Sequence, residues 1–133
     1  MAEANGNSKD LSKYRIEQAH ECLQSAERDI EASLFKGAAN RSYYAIFHAM
    51  RAALALDGFD SKKHSGVIAA FRKNYIKTGE FEPHFSDIIG KAFEIRNDSD
   101  YQDFYVASKS DVEQQIENAK IFLEEVEKYL KLK

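Results

Sequence analysis

The residues best suited to chemistry in this chain are arginines, histidines and tyrosines at helical spacing. Arg96 falls on the apolar face of a predicted helix, in line with Phe85, Ile88, Ile89, Ala92 and Phe93. A guanidinium keeps its proton, so in that place it must be paired or reach water past the core edge. Asp100, one turn later, is placed to pair with it. Two roles stay open: an ion pair that closes a helix end, or a cation held in a cleft for an anion. His64 projects with Val67, Phe71 and Tyr75. It is either a hydrogen-bonded core or capping residue or an acid–base group, because its ordinary pKa lies near neutrality. A third constellation is Asn40, Arg41, Tyr44, His48 and Arg51. These fall in one stripe about 100° wide on a helix that is otherwise apolar. The stripe is either a water-facing side or the lining of a groove or dimer seam. Two arginines, a tyrosine and a histidine on one face suit phosphate or RNA.

Other chemistries find no support. The chain holds no G-x-x-x-x-G-K-[ST], G-x-G-x-x-G or G-x-S-x-G, so no standard phosphate loop or nucleophile elbow is expected. His20, His48, His64 and His84 show no H-x-x-x-H spacing, and one cysteine, Cys22, excludes a multi-thiolate zinc site and an internal disulfide. No metal and no cofactor are expected. Cys22 lies beside Leu23 and reads as a small hydrophobe.

These residues need helices to hold them. Apolar spacings of three and four predict a first helix over about 11–35, stopped by Gly37, and a second from Ala38 to about Asp57, ended by Gly58. A third covers about 65–78. A fourth starts near Pro83 and reaches about Asp100, and a fifth begins at Ser110 with Glu113 placed for a capping box. The second is apolar over most of its circumference, which marks a central, buried helix. Short connections make this an all-α antiparallel bundle of four to five helices.

Length and composition agree. The chain has 133 residues, 44% hydrophobic and 31% charged, with a single proline and six glycines. That suits one packed helical domain and not a β-rich chain. Residues 1–10 are expected to form a mobile tail and residues 11–133 a single domain. The start has no basic stretch followed by an apolar run, and no segment suits a bilayer, so a cytoplasmic location and no membrane partner are expected. The net charge of −3 disfavours a general polyanion binder, yet residues 61–79 carry five basic and no acidic residues. That island is either a solvated face or a local phosphate-attracting patch.

Several motifs then fall together. Asn40-Arg41-Ser42-Tyr43-Tyr44-Ala45-Ile46-Phe47-His48-Ala49 resembles the second-helix signature of the HEPN domain family. Lys63-His64-Ser65-Gly66-Val67-Ile68, followed by Phe71, resembles the next block of its small stand-alone branch. Arg96 with Asp100-Tyr101 resembles that branch's R-x-x-x-D-Y signature. The resemblance implies a dimerising helical bundle, often encoded beside a minimal nucleotidyltransferase in toxin–antitoxin pairs. Many HEPN proteins are metal-independent ribonucleases whose motif is Arg, four to six residues, then His. Arg96 matches that arginine, while the histidine position falls on Tyr101, Gln102 or Asp103.

The expected function is therefore an RNA- or nucleotide-associated module acting by binding through Arg41, Tyr44, His48, Arg51, Arg96 and Asp100. Its expected partners are a second copy, a nucleotidyltransferase-domain protein, and RNA or a nucleotide. One alternative is a ribonuclease in which Arg96 holds the phosphate while Tyr101, with His64 or His48, handles protons. The other is a purely structural dimerisation domain.

Overall fold

The computed structural model describes residues 6–101 and 107–131. The described residues form helices α1 (Gly6–Glu31), α2 (Phe35–Leu56), α3 (His64–Phe71), α4 (His84–Tyr101) and α5 (Lys109–Lys131), and no strand. The last turn of α3 widens into a π-helix over Arg72–Ile76.

Helix α2 is the centre, packed by α1, α4 and α5. Its alanines at 38, 39, 45, 49, 52 and 53 are buried, as are Tyr43, Ile46, Met50 and Leu54. Small side chains on several faces let neighbours approach from more than one direction. The apolar surface of α2 is covered within the chain. Helix α1 contributes Ala19, Cys22, Leu23 and Ala26, and α5 contributes Val112, Ile116, Ala119, Phe122, Leu123 and Val126. Both sets recur at spacings of three and four.

Several boundaries differ from expectation. Helix α1 starts at Gly6, so residues 6–10, assigned to the tail, are its first turns; residues 1–5 lie outside the described residues. The turn that follows them is fastened to α2, since the buried Ser12 hydroxyl donates to the Ala52 carbonyl at 2.8 Å. Gly37 is not a stop. The chain reverses over 32–34, with Ser33 at φ 61°, and Gly37 lies inside α2. A Cβ there would come within 2.7 Å of Asp29 Oδ2, so a larger residue requires the Asp29 carboxylate to turn aside. The cap of α5 is Ser108 rather than Ser110, its hydroxyl accepting the Asp111 N–H at 3.0 Å.

Two buried polar contacts tie the bundle together. Gln115 of α5 donates from Nε2 to Ser42 Oγ at 2.7 Å and to the Ala39 carbonyl at 3.0 Å on α2. At the far end of α2, Asp57 Oδ2 accepts the hydroxyls of Tyr75, in a very short contact, and of Tyr129 at 2.7 Å. The π-turn is what carries Tyr75 to that carboxylate.

Candidate functional site

Arg96 does not bury its charge in the core. Its guanidinium carbon lies 5.6 Å from the centre of the Tyr43 ring and 5.7 Å from that of Tyr44, so α4 lays it across the aromatic face of α2. Its Nε is 3.0 Å from Asp100 Oδ2. That Nε nevertheless lacks an aligned hydrogen-bond acceptor, so the contact is an ion pair off the N–H line. The Tyr44 hydroxyl lies 3.4 Å from Nη2, a long contact, and Asn97 Oδ1 is 3.3 Å from Nη1. Arg41 approaches Tyr44 as well, its guanidinium carbon 5.4 Å from the ring centre while Asn40 Oδ1 holds it at 2.7 Å.

His64, the first residue of α3, closes the arrangement. Its ring stacks on Phe47 at 4.2 Å and 13°, and its Nδ1 lies 2.6 Å from the Tyr43 hydroxyl. Burial and the positive charges of Arg96 and Arg51 hold its pKa below the ordinary histidine value. Burial likewise pushes the Tyr43 phenol up, outweighing the pull of Arg96. Tyr43 therefore keeps its proton, and no other acceptor for it is recorded among the described residues. The phenol donates to Nδ1, which leaves the neutral imidazole with its own proton on Nε2. In that arrangement His64 presents an Nε2–H donor, with Nδ1 already engaged.

His48 lies one turn along α2 from Tyr44. Its pKa is lowered to about 4 by burial first, then by Arg51, Arg15, Arg41 and His64. It is a neutral ring in a positive field, and its buried Nδ1 has no hydrogen-bond partner. Beyond it, Arg51 donates to Asp60 Oδ1 at 2.8 Å and Arg15 reaches the same oxygen at 3.1 Å.

The fold therefore gathers Arg41, Tyr44, His48, Arg51, His64, Arg96 and Asp100 along one face of α2. Tyr101 stands apart: it is 76% exposed, and five residues from Arg96 place it about 140° round α4. Gln102 and Asp103 lie outside the described residues. Sequence reasoning missed Tyr43, which reads as a core residue and supplies the partner of His64. It also missed Arg15 and Asp60, which meet Arg51 through the tertiary fold and carry no local signal. The basic island divides: Arg72 donates to the Ser86 carbonyl at 3.1 Å, tying α4 down, while Lys73 and Lys77 are exposed.

The other histidines serve elsewhere. His20 follows Glu17 at Glu-x-x-His spacing but pairs with Glu127 of α5 at 3.1 Å, and His84 pairs with Glu82 at 3.3 Å. Among the described residues no three acidic, histidine or cysteine side chains converge as metal ligands, and no helix is long and apolar enough to cross a membrane.

The α2–α4 face of this all-helical bundle thus lays a guanidinium and an imidazole over a tyrosine pair. The chain belongs to the HEPN domain family, whose model matches residues 12–129. A UPF0332 protein of Thermotoga maritima is 32% identical over 90% of this chain and 91% of its own length. Two proteins of Methanocaldococcus jannaschii, each named as a candidate toxin, are 32% and 34% identical over 92% and 87% of this chain, covering 82% and 86% of their own lengths. The crystal structure of TT1696 from Thermus thermophilus superposes with a TM-score of 0.75 at 16% identity, over 88% of this chain and 96% of that one, and shows the same fold.

Proposed function

We propose that this HEPN protein is a toxin-type module that acts by holding the phosphate backbone of RNA, or a nucleotide, on the α2–α4 face, without cutting it. The observation that carries this is the pairing of a cationic donor with aromatic rings on this face. Arg96 sits over Tyr43 and Tyr44, and His64 has its Nδ1 occupied by the Tyr43 hydroxyl. Hydrogen-bond donors and aromatic faces suit a phosphate chain and its bases. Metal-independent cleavage would also need a proton acceptor beside the 2′-hydroxyl. The position after Arg96 that supplies a histidine in the active members is here Tyr101, Gln102 or Asp103. Names of similar archaeal proteins support a toxin-type role, and the family resemblance supports a nucleotidyltransferase-domain partner and a second copy.

The test is purified protein with a mixed RNA ladder, with and without EDTA, read on a denaturing gel and by anisotropy. The expected result is retarded, intact RNA, lost in Arg96→Ala and retained in Lys73→Ala. Cleavage that survives EDTA and disappears in Arg96→Ala would instead establish the ribonuclease reading. Equal losses from both variants would replace the cleft with a diffuse basic patch.

A further inference from the structure

The two arginines at the far end of the stripe share one carboxylate oxygen, and the burial of the partners is uneven. The Arg15 side chain is 8% exposed and that of Arg51 17%, whereas that of Asp60 is 53% exposed. The guanidiniums are held from beneath by the helices. Arg15 Nη1 donates to the Arg51 carbonyl at 3.3 Å, and the Arg51 head lies 5.8 Å from the centre of the Phe47 ring. The carboxylate arrives from the solvent side, on the loop between α2 and α3. Two positive charges facing one negative charge leave a net positive field. The low pKa of neighbouring His48 reflects that field, with Arg51 and Arg15 both contributing after burial. Arg51 Nε is a buried N–H with no hydrogen-bond partner, so this pair of arginines is short of an acceptor. The same loop carries exposed Lys62 and Lys63, the start of the basic island.

We infer that Arg15 and Arg51 form a second phosphate subsite whose place Asp60 occupies, and that an RNA chain reaching from Arg96 displaces Asp60 there. This inference rests on the binding reading above and extends it to the length of the ligand. Tyr44 and Arg51 are seven residues apart on α2, about 10 Å along its axis. One phosphate cannot span that distance, so a mononucleotide engages one end at a time, the Arg96 end first because Asp60 already fills the other, while an oligonucleotide engages both. His48 lies between the two ends as a neutral ring that does not repel a base.

The experiment compares wild type, Asp60→Asn, Arg51→Ala and Arg96→Ala. Fluorescent octauridylate and uridine 3′-monophosphate are the probes, and the arginine Nε–Hε resonances are followed by NMR during titration with pyrophosphate. Asp60→Asn should bind the octamer several-fold more tightly, and Arg51→Ala about tenfold more weakly at low salt, as expected for a charge-assisted contact. The mononucleotide should distinguish neither variant from wild type. Pyrophosphate should shift the Arg15 and Arg51 resonances saturably, at lower concentration in Asp60→Asn. If octamer binding responds to Arg96→Ala but to neither Asp60→Asn nor Arg51→Ala, the subsite is wrong while the binding reading stands. If no variant binds RNA, the binding reading fails, and the resonances decide the subsite: a saturable shift upholds an anion site at Arg15 and Arg51, and none overturns it. Asp60→Asn is the variant least exposed to misfolding, because its side chain stands half in solvent.

Discussion

Replacing Arg96 with alanine separates a structural cation from a poised one. In the folded chain the Arg96 side chain is 16% exposed and that of its partner Asp100 24%. The substitution removes two ring contacts at 5.6 and 5.7 Å, worth about 0.5–1 kcal/mol each in a partly wet setting. It also removes one ion pair that solvent partly screens, worth about 0.5–1 kcal/mol. Asp100 is accessible enough to turn to water, so the 3–5 kcal/mol expected when a fully buried pair is broken does not apply. The loss should be about 2 kcal/mol. For a chain of this size that lowers the melting temperature by roughly 6–10 °C. In a double-mutant cycle with Asp100→Asn, the Arg96–Asp100 coupling should stay below about 1 kcal/mol. Anisotropy with labelled RNA, well below the melting temperature, should show affinity falling at least about tenfold per folded molecule. Urea melts of the two single variants and the double complete the measurement. A stability loss above about 4 kcal/mol with binding per folded molecule unchanged would refute the reasoning and make Arg96 a core ion pair. No loss at all would refute its seat on the tyrosines.

The remaining expectations follow from the same contacts. Tyr43→Phe deletes the hydroxyl 2.6 Å from His64 Nδ1 and should cost about 1 kcal/mol; ring-nitrogen NMR should show His64 losing its preference for the Nε2–H form. His48 is neutral when folded, its pKa lowered to about 4 from 6.5. Its contribution to stability is therefore complete above the unfolded value and is lost as pH falls from 6.5 toward 4. His48→Gln should flatten that part of a melting-temperature profile, and an unchanged profile would contradict the burial of the ring. Cys22→Ala should fold and bind as wild type, and because burial raises the thiol's pKa, iodoacetamide should label native protein slowly and unfolded protein fast. Light scattering at micromolar concentration should give twice 15.2 kDa if the resemblance is right about pairing, and a monomer mass would remove the second copy.

The helices were legible because each depends on local periodicity. The faces of α1 and α5 repeat at three and four residues, and α2 is apolar nearly all round because it is surrounded. The stripe of Arg41, Tyr44, His48 and Arg51 could be seen as a stripe for the same reason. What joins it to Arg96 and His64 could not. Tyr43 looks like any buried aromatic until α3 brings His64 against its hydroxyl. Asp60 looks like a loop residue until two helices present arginines to it. At the turns, packing overrides residue preference. Gly37 is small to make room for Asp29, not to end a helix, and Ser33 takes the left-handed conformation that the nearby glycine would have been expected to adopt.

The contact of Gln115 with Ser42 and the Ala39 carbonyl bears on how the bundle chooses its alignment. Helix α2 interleaves alanines with larger buried side chains such as Ile46, Met50 and Leu54. Where a neighbour meets the alanines, a shift by one turn meets another small side chain and loses little van der Waals contact. Apolar packing alone leaves such a pair poorly indexed. One amide that finds its acceptors in a single alignment, and would be stranded in any other, converts a sliding joint into a keyed one. Gln115→Leu should then leave a helical chain of similar stability whose side-chain NMR spectrum broadens or doubles, as α5 samples neighbouring alignments. The arginine-bearing face of α2 would stay where it is, but its neighbours would no longer meet it at one fixed height.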